Sequence, residues 1–258
     1  MREILQAKGL WKTFKLSAKQ QQLEKTKEKT KTAVADLSFS AYEGEIFGLL
    51  GPNGAGKTTT LRMLATLIKP DRGDACIDGC SIVSQPDEVR GKIGFLTSEL
   101  KLEEFFTPNY LFDFFSELHQ VPYEARDRRK KALFDTFGIG EFAEVKVANL
   151  STGMKQKTSL AVSLVHDPKV IIFDEPTNGL DVLTAKVVTD FLMDLKRQGR
   201  TVIVSTHIFS LIEKICDRVG ILIDGRMARC DTLDRVRDGK SLEDRFFDLY
   251  AETAGEKA

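Results

Sequence analysis

Lys57 and Thr58 close the stretch Gly51-Pro52-Asn53-Gly54-Ala55-Gly56-Lys57-Thr58-Thr59, and their side chains suit one task. An ammonium is a charge for the β- and γ-phosphates of a nucleotide, and a neighbouring hydroxyl is a ligand for Mg²⁺. The spacing is that of a phosphate-binding loop, G-x-x-x-x-G-K-[ST], so all nine residues are candidates for holding a nucleotide. Its glycines let backbone N–H groups turn inward around a phosphate chain with no Cβ in the way. A second group of candidates ends the apolar run Val170-Ile171-Ile172-Phe173-Asp174-Glu175. A strand end beside a phosphate loop is where a magnesium-holding carboxylate is wanted, which points to Asp174. Glu175, one residue on, can orient or deprotonate an attacking water.

Strand, glycine turn and helix must position the loop. Residues 45–50 read as a buried strand and residues 58–67 as a helix whose positive dipole end faces the same anion. Upstream, residues 4–10 and 34–42 read as strands. Between them, residues 15–31 carry six lysines against Glu24 and Glu28. That segment reads as an exposed, partly disordered insertion: either a solvated loop or a basic arm for anionic lipid or a membrane partner. From about residue 100 the pattern turns helical. Thr107-Pro108 is a helix start, and Tyr110, Leu111, Phe114, Phe115 and Leu118 follow at helical spacing, as core or interface. Gly138 caps a charged helix over 124–137, and a third helix runs from Ser151 to residues 166–168. Strands at 170–173, 201–205 and 219–223 and a helix over 182–198 complete an α/β core with a helical insert.

The chain has 258 residues, 42% hydrophobic and 29% charged, which describes a soluble globular protein with a sizeable core. With 38 basic and 38 acidic residues there is no global basic field, and no nucleic-acid partner is expected. The polar start lacks a signal-peptide apolar region and no apolar run spans a bilayer, so a cytoplasmic location is expected. Cys76, Cys80, Cys216 and Cys230 read as reduced, small buried hydrophobes. A charged or hydrogen-bonding helix end explains His119 and His166.

Leu150-Ser151-Thr152-Gly153-Met154-Lys155-Gln156 resembles the signature sequence of ATP-binding-cassette (ABC) proteins. Asn178-Gly179-Leu180-Asp181 resembles the D-loop of that family, and Val204-Ser205-Thr206-His207 its switch region. The phosphate loop, signature and acidic strand stand in the family's order, and the resemblance covers about residues 3–235. It implies a P-loop NTPase fold: a RecA-like core with an antiparallel β portion and an inserted α-helical subdomain. The core would comprise 1–96 and 168–230, the helical subdomain 97–167, and a C-terminal helical tail 231–258.

The resemblance further implies an ATPase that binds ATP and Mg²⁺ and works as a head-to-tail dimer. Ser151 and Gly153 of one copy would serve the nucleotide held by the other, with Asp181 nearby. His207 matches the histidine that contacts the γ-phosphate, and Phe14, in preference to Trp11, the aromatic that stacks on adenine. Ser98 holds the position of a family glutamine near magnesium, where a hydroxyl is shorter than a carboxamide. The run 95–99, the lysine-rich insertion and residues 150–157 together resemble the sodium-exporter ATP-binding subunits called NatA. Such a subunit sits on the cytoplasmic face of the membrane with a separate permease, which carries substrate specificity. The alternative is a soluble ABC ATPase acting on ribosomes or DNA, which usually has two cassettes or long coiled-coil arms.

Overall fold

A computed structural model of the chain describes residues 2–23, 26–97 and 102–255. Its strands are β1 (Glu3–Lys15), β2 (Thr30–Tyr42), β3 (Ile46–Leu50), β4 (Arg72–Ile77), β5 (Cys80–Ser81), β6 (Ile93–Thr97), β7 (Val170–Asp174), β8 (Thr201–Thr206), β9 (Arg218–Ile223) and β10 (Arg226–Thr232). Its helices are α1 (Ala18–Leu23), α2 (Lys57–Leu64), α3 (Pro86–Lys92), α4 (Pro108–Leu118), α5 (Tyr123–Phe137), α6 (Thr152–Ser163), α7 (Val182–Arg197), α8 (Phe209–Ile215), α9 (Leu233–Arg237) and α10 (Leu242–Gly255).

The central sheet has the order β10-β9-β3-β8-β7-β6. Its strands run parallel except β10, which turns back antiparallel along β9. Every residue of β3, β7 and β8 is buried. Both faces of this sheet are covered, which is why these strands read as nearly unbroken apolar runs. On one face, α2 and the antiparallel sheet β2-β1-β4-β5 pack around Leu5, Leu37, Phe47, Leu61 and Ile172. Phe39 of β2 stacks on Phe47 of β3 with ring centroids 5.1 Å apart. On the other face, α7, α8, α10 and the helices between β6 and β7 share one core.

The helices α4 to α6 and two short 3₁₀ turns fill the interval between β6 and β7. Thr107 caps α4 by accepting from the Tyr110 N–H, and Gly138 ends α5 in the left-handed conformation at φ 63°. The third helix stops at Ser163, short of the 166–168 end expected from sequence. His166 lies beyond it, its Nε2 2.9 Å from the Ile93 carbonyl and its ring stacked on His119 at 4.0 Å. Burial, with His119 beside it, pushes the His166 imidazole down to about 4, and burial lowers His119 too. Of the two helix-end readings, the hydrogen bond is the one present at His166, while desolvation works against the charged form.

The described residues of the segment 15–31 hold more regular structure than their composition suggests. β1 runs on through Lys15 and β2 already begins at Thr30, because the hairpin ladder continues past the core, with Leu16 N–H donating to the Lys29 carbonyl at 2.9 Å. Helix α1 lies at the tip, and Glu24 and Lys25 lie outside the described residues. Cys80 and Cys216 are buried, but Cys76 is exposed, contrary to the expectation for it. In β4 the strand alternation turns Ala75 and Ile77 inward and Cys76 outward.

Candidate nucleotide site

The site grows from the end of β3. Gly54 and Gly56 have φ of 82° and 98°, a region that side chains rarely enter. Gly51 is needed for a different reason, since a Cβ there would lie 2.5 Å from the Leu222 carbonyl oxygen. A Cβ on Gly56 would lie 2.3 Å from the Ala33 carbonyl oxygen, so strand β2 presses directly against the loop. Gly56 leads into α2, whose first-turn N–H groups have no acceptors inside the helix and are free to serve an anion.

Lys57 folds back across the loop. Its Nζ donates to the carbonyls of Gly51 at 2.7 Å and Pro52 at 3.1 Å and stands 3.5 Å from Glu175 Oε1. Burial pushes its ammonium below the usual lysine range, and the carboxylates of Glu175 and Asp174 pull it back up. Glu175 in turn is bracketed by His207, whose Nδ1 lies 3.1 Å from Oε2. Its backbone sits at φ 53°, a conformation uncommon outside glycine and concentrated at functional sites.

Beneath it, Asp174 is buried at the end of β7 and accepts from the Ser205 hydroxyl. The same Ser205 oxygen accepts from the Glu175 N–H at 3.2 Å. Register β7–β8 puts Asp174 opposite Ser205, so one hydroxyl on the neighbouring strand bonds both the Asp174 carboxylate and the Glu175 backbone. Ser205 carries no role in the sequence reading. Its signal there is its place two residues before His207.

These side chains wall a cleft of about 470 Å³ lined by Phe14, Lys31, Ala33, Asn53, Gly54, Gly56, Lys57, Thr58, Thr59, Glu175, Asn178 and His207. Phe14 lines it and is exposed, whereas Trp11 lies under the Arg72 guanidinium and does not line it. Lys31, Ala33 and Asn178 are additions to the sequence-derived set. Gly51, Pro52 and Ala55 build the loop behind the lining.

Three expected residues lie elsewhere. Ser151 caps α6 by accepting from the Met154 N–H at 3.3 Å. Asp181 caps α7 through the N–H groups of Leu183 and Thr184, both at 3.0 Å. Hydrogen bonds from the Thr184 hydroxyl and backbone hold the Asp181 carboxyl below its usual range. Gly153 faces Thr184, with room for a Cβ 3.4 Å from its Oγ1, so the starts of α6 and α7 touch. None of the three lines the cleft.

A magnesium ion fits the donor set. Among the described residues no group of three or more His, Cys, Asp and Glu could hold a metal alone. A hydroxyl (Thr58) and a buried carboxylate (Asp174) are the hard oxygen ligands used by magnesium that arrives on phosphates. Ser98, the third expected ligand, lies outside the described residues. It follows Thr97, which pairs with Asp174 across β6 and β7.

Comparison with known proteins bears on this geometry. The family described as ABC transporter matches residues 34–178. The chain is 36% identical over 219 residues to the ABC transporter ATP-binding protein NatA of Bacillus subtilis (strain 168), covering 84% of this chain and 89% of that protein. It is 37% identical over 196 residues to Nod factor export ATP-binding protein I of Burkholderia lata, covering 76% of this chain and 64% of that protein. A solved ATP binding subunit of an ABC transporter superposes with a TM-score of 0.83 at 27% identity, covering 96% of this chain and 99% of that one. The ATP-binding cassette MJ0796, solved as a dimer in a post-hydrolysis state bound to ADP and Pi, gives 0.78 at 27% identity over 89% of this chain and 98% of that one. The P-loop NTPase fold expected from sequence is therefore the fold observed, and the chain belongs to the ABC transporter family as an ATP-binding subunit and an ATPase.

Proposed function

We propose that the chain hydrolyses Mg-ATP at its phosphate-loop cleft to drive export through a separate membrane permease. The observation that carries the catalytic part is the Glu175 carboxylate, held between His207 Nδ1 at 3.1 Å and Lys57 Nζ at 3.5 Å on the cleft wall. From there it can accept a proton from water attacking the γ-phosphate. The γ-phosphate would draw Lys57 away from the Gly51 and Pro52 carbonyls, since a charged oxygen is the better acceptor. Loop N–H groups would hold the phosphate chain, Phe14 would stack on the base, and His207 would keep the carboxylate aimed while contacting the γ-phosphate. Thr58 and Asp174 would hold the magnesium ion, which neutralises charge developing on the phosphates.

Ser151, Gly153 and Asp181 lie outside this cleft, which supports a second copy bringing its signature to it, and the MJ0796 cassette is dimeric. Export and the permease rest on likeness to a Nod factor export protein and on one surface feature. Among the described residues no helix is long and apolar enough to cross a membrane. An apolar depression of about 420 Å³ between the core and α4, walled by Leu67, Phe95, Leu102, Leu111 and Phe115, suits a permease segment on the cytoplasmic face.

Glu175→Gln keeps the shape and removes the base. The variant binds Mg-ATP nearly as well as the parent, turns over at least ~100-fold more slowly, and accumulates as an ATP-stabilised dimer on size exclusion. Near-parental turnover would sink the assignment of Glu175. Purification from membranes with identification of the co-purified multi-span protein tests the permease.

A further inference from the structure

We propose that Lys31 is a nucleotide-binding residue, its ammonium pairing with the phosphate nearest the ribose; this rests on the ATP site proposed above. Three observations converge on it. Lys31 lies directly opposite Phe14 in the β1–β2 ladder, and both line the cleft. Ala33, two residues along the same strand, also lines the cleft, as the two-residue alternation of a strand requires. The Ala33 carbonyl abuts Gly56. Phosphate loop, Ala33 and the Lys31–Phe14 pair therefore form a row along the cleft wall.

A nucleotide whose terminal phosphate faces Glu175 and whose base lies on Phe14 runs along that row. Its ribose and first phosphate then pass between Ala33 and Lys31. Two residues of strand span about 7 Å, within reach of a lysine's flexible four-carbon stem. Two lysines line the cleft, Lys57 at the phosphate loop beside Glu175 and Lys31 opposite Phe14. Lys31 is the second, placed to serve the other end of the phosphate chain. The extended hairpin arm thus has a local consequence: by carrying the ladder past the core, it fixes the register that turns Lys31 into the cleft.

The test is calorimetric titration of ATP, ADP and GTP into the intact protein and into Lys31→Ala, Lys31→Arg, Lys31→Glu and Lys29→Ala. An exposed ion pair predicts that Lys31→Ala raises Kd about fivefold, by the same factor for all three nucleotides. Lys31→Glu raises it further, Lys31→Arg restores it, and Lys29→Ala leaves it unchanged. High salt shrinks the difference. Unchanged affinities in Lys31→Ala and Lys31→Glu would overturn the proposal. So would a loss confined to ATP or to GTP, since that marks a contact with the base edge. A parent protein that binds no ATP would instead overturn the site reading itself.

Discussion

Ser205 serves two carboxylate positions at once, and this shapes what any nearby substitution does. Its hydroxyl donates to Asp174 and accepts from the Glu175 N–H, so the residues proposed as magnesium ligand and general base share one anchor. The Glu175 side chain has a separate anchor in His207. Removing that imidazole takes away the nearer of the carboxylate's two neighbours, leaving Lys57 Nζ at 3.5 Å, without disturbing the loop or Ser205. His207→Ala is therefore expected to lower kcat at least ~10-fold, which is ~1.4 kcal/mol of barrier, while the Kd for ATP changes little. Turnover measured beside nucleotide binding on the purified protein separates the two. A Kd that rises as much as kcat falls would make His207 a binding group and leave Glu175 otherwise held.

At the scale of elements, the packing of α4 against the end of α6 sets a pH response. His166 is stacked on His119, bonded to the Ile93 carbonyl and neighboured by Arg129 and Asp167. Its Nδ1 is buried with no hydrogen-bond partner. The folded chain holds it near 4, against an ordinary 6.5. As pH falls the unfolded chain takes up this proton first, so stability is full above 6.5 and drains away between 6.5 and 4. Allowing for screening of a partly exposed ring, the loss is on the order of 1 kcal/mol. Urea unfolding near neutral pH and near pH ~5 is expected to show it in the parent and to show less in His166→Gln, which keeps a donor but cannot titrate. An identical pH dependence in both proteins would assign the effect to other groups.

At the scale of the whole molecule, the cleft and the signature are built on different elements that one chain does not bring together. Ser151 and Gly153 start α6, against the start of α7, while the cleft lies at the ends of β3 and β7. A head-to-tail pair would make each working site from two copies. Two inactive variants, Ser151→Arg and Lys57→Ala, are then expected to recover ATPase activity when mixed. The intact loop of the first meets the intact signature of the second. The parent rate is expected to rise more steeply than linearly with protein concentration. Linear rates and no recovery on mixing would show a self-contained monomeric site.

The chemistry that sequence alone determined is chemistry written in contiguous residues. Positive φ at Gly54 and Gly56, Lys57 at the helix start and two acids closing an apolar strand are local features, and local sterics and periodicity make them readable. Asp174 and Glu175 could be paired with the loop because parallel strands of one sheet end on the same side. What only the tertiary structure decided depends on register between distant strands and on which faces meet. Lys31 enters the cleft because it pairs with Phe14, and Ser205 holds both acids because it pairs with Asp174. A slip of one residue would turn either side chain to the opposite face, and composition is blind to that slip. The lysine count of the 15–31 segment accordingly suggested an exposed, partly disordered insertion, while the bond from Leu16 N–H to the Lys29 carbonyl extends the hairpin ladder into it. His119 and His166 lie far apart in sequence, and only tertiary packing stacked their rings and lowered both imidazoles below their usual range.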